Sequence, residues 1–379
     1  MKSVLVILVA ILLLASCAKD NISTSSNISS YLVFDEQIIG KPSVANNQFL
    51  AITKTYDASL YITKIDINGV RTHLLALKNY ITDTIPPNFP NYPIVAVNNG
   101  YFALYYYTKT STSDTSNQVR IIKLDLNGNY VANYSDSIDE INNTKSTTFL
   151  NFFATQGNGF VIVSADSLQK NNPDRPKFHP QLSFYDNGGK FISNIKSNDS
   201  IFQFRDSHWL TGDRLLLIGT GSPNASGGGI DCEIFYPNNK SINNLTIKTQ
   251  IRNLNSFFQD DTLIIVEGDG GIGNQPIIGC YSLLNGAKQW ENVSAPPGFI
   301  GYAINKNGDN YIITGGNKPI FEWITISSKN VMVGVLSKII SEYDTYGLGL
   351  IVNSPTEYIF VGYKNSFSIY NNLFYLKTK

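Results

Sequence analysis

The sequence is short of the residue types on which enzymes most often rely. Its 379 residues include three histidines, three cysteines, two methionines and three tryptophans, and the patterns HExxH, CxxC and GxSxG do not occur. These absences argue against a histidine-based metalloenzyme and against a hydrolase with a nucleophile elbow. We therefore expect no metal and no cofactor, and we name no catalytic residue.

Charge of either sign is also scarce. The 29 basic and 29 acidic residues cancel, and charged residues make up only 15% of the chain. Nucleic-acid-binding proteins carry a basic excess that attracts the phosphate backbone, so no nucleic acid is expected as a partner. Aromatic residues reach 12%, and together with frequent Asn, Ser and Thr they indicate strands and turns rather than helices.

A long apolar run occurs only at the N-terminus. Lys2 provides a positive start, residues 4–14 are apolar, and Ala15 and Ser16 are small, which is the order of a secretory signal. The run is too short for a good transmembrane helix. Residues 1–16 are therefore predicted to be a cleaved signal peptide.

The sequence Leu14-Ala15-Ser16-Cys17 resembles the lipobox of bacterial lipoproteins. The resemblance implies lipid attachment at Cys17 and a membrane as partner through that anchor. Residues 17–30 would then be the lipidated cysteine and a polar, flexible tether. The residues after Cys17 are similar to a Bacteroidota export signal that lacks its second acidic residue, so the periplasmic and surface sides of the outer membrane both stay open. An ordinary signal followed by a chance cysteine is the alternative.

Two recurring sequence patterns alternate along the rest of the chain. The first is a tight polar turn followed by an apolar inner strand, and the second is an alternating strand that ends in another tight turn. The inner strand occurs seven times, at residues 49–56, 101–107, 160–165, 215–219, 262–267, 310–315 and 357–362. The seven second turns begin at Asn68, Asn127, Asn187, Asn238, Asn285, Lys329 and Asn371.

Another apolar stretch precedes most inner strands, so each unit contains four antiparallel strands. Units of four strands that repeat about every 50 residues predict an all-β fold, a seven-bladed β-propeller of four-stranded antiparallel blades. The propeller would be a single domain, residues 31–379, in which residues 31–33 pair with the last blade and close the ring. An array of two-sheet sandwiches is the alternative.

The remaining two cysteines, Cys232 and Cys280, precede the second turn in neighbouring repeats. An oxidising compartment permits a disulfide between them. Counted back from their turns, however, they are one position out of phase, so strand alternation would point their side chains to opposite faces. We therefore favour two buried free thiols.

The repeats resemble those of propellers in secreted and lipid-anchored proteins of Bacteroidota and, in outline, kelch repeats. The resemblance rests on FLAITK followed by LYITKIDING, and on YFALYYY followed by VRIIKLDLNG. A kelch glycine doublet is present only at Gly315-Gly316, and the Trp-Asp ends of WD40 repeats are absent. The resemblance implies the bacterial cell envelope as location and a propeller fold, but no particular activity.

A ligand site is expected on the face of the disc that carries the long connections. These are residues 79–93, 108–118, 136–147, 165–181, 219–230 and 268–276, whereas the connections on the other face are tight. Loops on a rigid scaffold often carry function, although long loops also simply tolerate insertion. The ligand-binding candidates are Asp174, Arg175, His179, Arg205, His208, Trp209 and Asp269.

Three further motifs fit turns or loops better than sites. Residues 268–273 match G-x-G-x-x-G but lead into a strand, so they offer no helix N-terminus to a pyrophosphate. The turns that begin at Asp66 and Asp125 start like calcium loops but lack the bidentate glutamate. The stretch that ends at Trp290 is similar to a quinoprotein propeller repeat, yet it occurs once.

These observations favour a lipid-anchored propeller that binds or scaffolds a protein, peptide or glycan at the cell envelope. The alternative is a glycan-active hydrolase or lyase that uses carboxylate, tyrosine and histidine side chains on the loop-rich face. The fold alone does not decide, because propellers host both classes.

Overall fold

The chain forms seven antiparallel β-sheets arranged as the blades of a closed ring, as shown by a computed structural model. Each blade has four strands, and no helix occurs in the residues that the structure describes. The predicted all-β, seven-bladed propeller is confirmed. The described residues are 28–57, 59–77, 94–97, 99–110, 115–133, 147–155, 159–167, 177–197, 201–202, 204–210, 214–220, 228–238, 240–260, 262–270, 275–292, 296–317, 320–330, 332–339, 345–365 and 371–379.

The 29 strands fall into four equivalent sets and one short extra strand. The first strands of the blades are β2 (Glu36–Ala45), β6 (Ile94–Val97), β10 (Thr147–Ala154), β15 (Phe204–Leu210), β19 (Ile251–Asp260), β23 (Ile300–Asn307) and β27 (Thr345–Val352). The second strands are β3 (Gln48–Thr55), β7 (Gly100–Thr110), β11 (Phe160–Ser167), β16 (Arg214–Thr220), β20 (Leu263–Gly270), β24 (Asn310–Asn317) and β28 (Tyr358–Asn365).

The outer half of each blade is built in the same way. The third strands are β4 (Leu60–Asp66), β8 (Thr115–Leu124), β12 (Lys177–Tyr185), β17 (Gly228–Tyr236), β21 (Gln275–Ser282), β25 (Ile320–Ser327) and β29 (Asn371–Thr378). The fourth strands are β5 (Arg71–Ala76), β9 (Tyr130–Asn133), β13 (Phe191–Lys196), β18 (Ser241–Thr249), β22 (Lys288–Asn292), β26 (Met332–Ile339) and β1 (Ile28–Phe34). The extra strand β14 (Ile201–Phe202) pairs with β12 of the third blade.

The first strand of each blade lies nearest the ring axis. First strands of successive blades contact one another around the whole ring, including β27 with β2. The strand that sequence repetition marks as inner is therefore the second of its blade. The error has a simple cause: the second strand is paired on both sides and its sequence is the most uniformly apolar, whereas the first strand has a free edge toward the axis.

The N-terminal strand β1 closes the ring as predicted. It pairs antiparallel with β29, from Ile28 opposite Thr378 to Phe34 opposite Leu373. The strand begins three residues before Tyr31, where the sequence places the start of the domain. Because β1 supplies the fourth strand of the last blade, the predicted closing turn at Asn371 is wrong, and Asn371 instead begins β29.

An ion cluster lies beside this closure. The buried carboxylate of Glu36 accepts hydrogen bonds from Arg71 and from His73 Nε2, the latter at 2.7 Å. The Arg71 guanidinium also lies 5.2 Å from the centre of the Phe34 ring. The last residue of β1 is thus held by a cation–π contact from the first blade in addition to strand pairing.

The hydrophobic core is divided into seven clusters, one at each interface between neighbouring blades. At the interface of blades six and seven, the ring of Phe321 packs 5.2 Å from that of Phe360 and 5.5 Å from that of Phe374. Each blade therefore buries both faces against its neighbours, which explains why the sequence is rich in aromatic residues.

Cys232 and Cys280 are both buried free thiols, as predicted. The phase argument behind that prediction is wrong, however, because each thiol lies in the core between its own blade and the following one. The two cores are separated by the sheet of the fifth blade, so the sulfur atoms cannot meet. Burial raises the pKa of the Cys280 thiol to about 11 and that of Cys232 further.

The two faces of the disc differ in how their strands are connected. We call the face that carries the first-to-second and third-to-fourth turns the trimmed face, and its opposite the loop-rich face. In three blades the third-to-fourth turn has an aspartate whose Oδ1 accepts two backbone N–H groups at 2.8–2.9 Å. These residues are Asp66, Asp125 and Asp186. The carboxylates close hairpins, as predicted, rather than forming calcium loops.

Strands extend into several segments that the sequence predicts as loops. Strand β7 continues to Thr110 and β8 resumes at Thr115, while β12 already begins at Lys177 and β20 continues to Gly270. His179 and Asp269 therefore lie in strands, not in loops. In β7 and β8, polar Thr, Ser and Asn residues make the strand ends resemble a loop, although Thr is β-branched and suits a strand.

Candidate functional site

The first strands carry β-bulges in six of the seven blades as far as the structure describes them. A bulge bends its strand and redirects a side chain, and bulges are common beside functional sites. In blades five, six and seven a carbonyl oxygen beside the bulge, from Asn253, Ile300 or Tyr346, lies within 2.2 Å of where a Cβ of the adjacent second strand would be. The residues at those positions are Gly268, Gly315 and Gly362, so glycine is required there.

Three tyrosines gather near the axis at the loop-rich end of blades six and seven. Tyr302 is the extra residue of the bulge in β23, and Tyr346 is the second residue of β27. Their rings are 5.2 Å apart and perpendicular. Tyr363, opposite Tyr346 on β28, places its ring 4.9 Å from that of Tyr346. All three side chains are partly exposed.

Two carboxyl groups from the fifth blade border these tyrosines. Glu267 is fully buried, and Asn255 Nδ2 and Ser256 Oγ lie 3.4 Å from its oxygens. The backbone N–H of Gly301 also donates to it. A Cβ on Gly301 would lie 2.6 Å from Oε2, so the glycine lets the carboxyl reach the next blade. Asp269, two residues further along the strand, is partly exposed.

The electrostatics of this group follow from burial. Desolvation raises the pKa of the Glu267 carboxyl to about 8, against the opposing effect of its hydrogen bonds. Burial also raises the pKa of the Tyr302 phenol far above its usual range, and nearby acidic groups add to the effect. Those groups are Tyr363, Tyr346, Glu267 and Asp269. At neutral pH Tyr302 therefore keeps its phenolic proton and can donate a hydrogen bond. We call Asn255, Glu267, Asp269, Tyr302, Tyr346 and Tyr363 the tyrosine–carboxylate cluster.

Of the predicted ligand residues, Asp269 belongs to this cluster. Asp174, Arg175 and Cys17 lie outside the described residues. His179 is the third residue of β12, beside the short strand β14, whose residues pair with Lys177 and Phe178. Arg205 follows β14 closely, as the extra residue of the β15 bulge. The backbones of His179 and Arg205 therefore both lie close to β14.

His208 and Trp209 lie further along β15. They pair with Leu216 and Leu215, so Trp209 is close to the trimmed face. Trp290, from the stretch similar to a quinoprotein repeat, donates its Nε1 hydrogen to the Ser328 carbonyl at 3.0 Å. That contact joins the fifth blade to the sixth and accounts for Trp290 as a packing residue.

The described ranges contain neither a candidate metal cluster nor a membrane-spanning helix. No group of three or more His, Cys, Asp or Glu side chains is arranged to hold a metal ion there. No helix in the same ranges is long and apolar enough to cross a membrane.

Comparison with known proteins supports the fold and nothing finer. No protein-family model and no curated protein matches this sequence. Among solved structures, the RRP9 WD40 repeats match with a TM-score of 0.56 at 8% identity, over 94% of this chain and 98% of that one. The Dos1 propeller matches with a TM-score of 0.48 at 10% identity, over 86% and 74% of the two chains. A mutant of the Synechocystis apocarotenoid oxygenase gives 0.46 at 10% identity, over 80% and 71%.

Sequence reasoning missed most of the tyrosine–carboxylate cluster. One signal was present: Glu267 is an acid that directly follows the apolar run Leu263–Val266, and a charge is rarely buried without a partner. A second was the pairing of glycine with tyrosine at the start of two successive first strands, Gly301-Tyr302 and Tyr346-Gly347.

Proposed function

We propose that this protein is an envelope-anchored lipoprotein whose propeller binds or scaffolds a protein, peptide or glycan. The observation that carries the binding role is the tyrosine–carboxylate cluster at the loop-rich end of the axis. Its rings offer stacking surfaces for a sugar or for a cationic side chain, and Asp269 accepts hydrogen bonds from either. Rigid strands rather than loops position these groups, which limits the entropy lost on binding.

The binding role is tested with the purified protein on a peptide array of graded charge and on a glycan array. Tyr346→Ser and Asp269→Asn are each expected to weaken the strongest signal at least about tenfold, equivalent to about 1.4 kcal/mol. Trp290→Phe, which changes a packing contact between blades, is the matched control and should bind like the wild type. Unchanged binding by both cluster variants would contradict the assignment.

The lipid anchor is tested separately, because it depends on the lipobox resemblance alone. Cells supplied with labelled palmitate should label the wild-type chain but not the Cys17→Ser variant. Label that survives this substitution would overturn the anchor while leaving the binding role intact.

A second function, a glycan-active hydrolase or lyase, is favoured by one observation. Glu267 holds its proton at neutral pH beside a second carboxyl group, Asp269, and acid–base catalysis on glycans uses a pair of carboxyl groups. The full burial of Glu267 against Gly301 argues for the binding role instead. Turnover of an array glycan that is lost in Glu267→Gln and falls above about pH 8 would reverse this preference.

A further inference from the structure

Exposed apolar side chains are concentrated at one edge of the disc. Ten large hydrophobic side chains are exposed among the described residues, and six of them lie in, or within two residues of, the third-to-fourth turns of blades one, two and three. Their exposed fractions range from 41% for Phe191 to 61% for Ile192. We call these six the apolar sector: Val70, Leu126, Tyr130, Val131, Phe191 and Ile192.

The turns of the apolar sector lie against neighbouring blades. A Cβ on Gly128, in the turn of blade two, would lie within 3 Å of Leu74 on the fourth strand of blade one. Lys123 of blade two donates to the Asn187 carbonyl in the turn of blade three at 3.3 Å. The turns of blades two and three are therefore each held against the preceding blade, on the same trimmed face as the turn of blade one.

The N-terminal strand begins on this same face, next to the sector. As a fourth strand, β1 runs from the trimmed face toward the loop-rich face, so Ile28 lies at its trimmed end. The last blade adjoins blade one there, where Tyr375 donates its hydroxyl hydrogen to the Ile67 carbonyl at 2.7 Å. Only ten residues separate Cys17 from Ile28, and ten residues span at most about 35 Å when fully extended.

We propose that the apolar sector docks on the lipid surface to which Cys17 is anchored, so that the loop-rich face points away from the membrane. This inference rests on the proposed lipid anchor. A short tether that leaves from the trimmed face keeps that face near the bilayer at a high effective concentration. Apolar side chains on separate turn tips then enter the boundary between headgroups and acyl chains, where each buried group adds to the attachment.

A lipid surface fits these side chains better than a second protein does. They extend from three separate hairpin turns, whereas a protein interface buries a complementary patch with a packed centre. A fluid bilayer adapts to separate projections. The tyrosine–carboxylate cluster lies at the opposite end of the same strands, so this orientation leaves it open to a ligand.

The test uses the full lipidated protein in phosphatidylcholine vesicles that contain a lipid-borne quencher. Cysteine is introduced at Leu126 or Ile192, or at Tyr56 on the loop-rich face as a control of similar exposure, and is labelled with an environment-sensitive fluorophore. Each label is unique, because Cys232 and Cys280 are buried and Cys17 carries the lipid. We expect Leu126→Cys and Ile192→Cys labels to be quenched several-fold more strongly than the Tyr56→Cys label.

The outcomes separate this inference from the proposed anchor. If the labelled proteins float with the vesicles but all three labels are quenched alike, or the Tyr56→Cys label most, the docking surface is wrong and the anchor stands. If the proteins do not float with the vesicles, the anchor itself fails and the docking surface fails with it. Quenching at positions 126 and 192 that depends on protein concentration rather than on the lipid quencher would indicate a second copy as the occupant and would overturn the inference.

Discussion

At the scale of single residues, Glu267 should make stability depend on pH in an unusual direction. The folded protein keeps this carboxyl protonated up to about pH 8, while an unfolded glutamate releases its proton near 4.5. Between these values the folded state binds more protons, so the free energy of unfolding falls as pH rises. Glu267→Gln should remove that fall, which amounts to about 1.4 kcal/mol for each pH unit between the two values. Urea unfolding at pH 5 and pH 9 measures it.

Glu291→Gln serves as a control of opposite sign. Although burial opposes it, hydrogen bonds from Tyr281, Thr249 and Lys288 lower the pKa of the Glu291 carboxyl. The ionised Glu291 carboxylate therefore stabilises the fold at neutral pH, and this stabilisation is lost as the pH falls. Identical pH profiles for the wild type and Glu267→Gln would mean that Glu267 titrates normally.

Gly301 is expected to be intolerant of any side chain. A Cβ would lie 2.6 Å from Glu267 Oε2 and 2.9 Å from Ile313 Cγ2, both in a packed interface. Gly301→Ala should therefore lower the free energy of unfolding by about 1–3 kcal/mol, the usual cost of overpacking. Gly229→Ala, whose Cβ would meet nothing closer than 3.7 Å, should cost little. Equal effects of the two substitutions in denaturant unfolding would contradict the close contact.

Residue-level prediction from the sequence reached one member of the cluster, Asp269. Tyr302 and Asn255 were not predicted, because each is the extra residue of a bulge. The direction of a bulged side chain does not follow strand alternation. Tyr346 escaped for another reason: its proximity to Glu267 depends on packing between three blades, which a linear pattern does not encode.

At the scale of elements, the stability of the hairpin turns on the trimmed face should depend on a side-chain acceptor oxygen and not on a bound metal. Asp125→Ala removes the oxygen that accepts the N–H groups of Asn127 and Asn129, so the melting temperature should fall. Asp125→Asn keeps an amide oxygen in that place and should melt close to the wild type. Calcium should shift none of these melting temperatures, and a rise for the wild type alone would restore the calcium-loop interpretation.

The turns were predictable and the strands beside them less so. Asn-Gly steps predict a glycine with positive φ, and Gly69, Gly128 and Gly286 have φ values of 79°, 85° and 71°. First strands were harder to find because they have only one paired edge and carry bulges that break the alternation. The predicted loops were too long because the sequence pattern assigns polar residues near the loop-rich face to loops. In the structure several of them still belong to hydrogen-bonded strands.

At the scale of the whole molecule, stability should depend on the closing strand. Of two consecutive residues in an antiparallel pair, one has its N–H bonded to the partner, so the double substitution Tyr31→Pro and Leu32→Pro must remove a bond between β1 and β29. We expect a large loss of stability and early protease cleavage within the last blade. Leu32→Thr, at a position 39% exposed, is the control and should be nearly neutral. Full resistance of the double-proline variant would show that the ring holds without β1.

The architecture was the most predictable level, because repetition averages over local errors. Seven imperfect copies of two sequence patterns indicate seven blades even where the prediction misplaces a single strand or turn, as at Asn371. The candidate site is the least predictable feature, since it exists once and breaks the repeat.

The pairing of β1 with β29 also constrains the order in which the protein matures. Strand β1 is synthesised long before β29, so Ile28 has to wait for its partner Thr378. Until then the chain holds a row of blades with two unprotected edges, and a contact of such sequence separation forms slowly. A copy that lacks residues 373–378, the six residues of β29 that pair with β1, cannot close the ring and stays exposed to proteolysis.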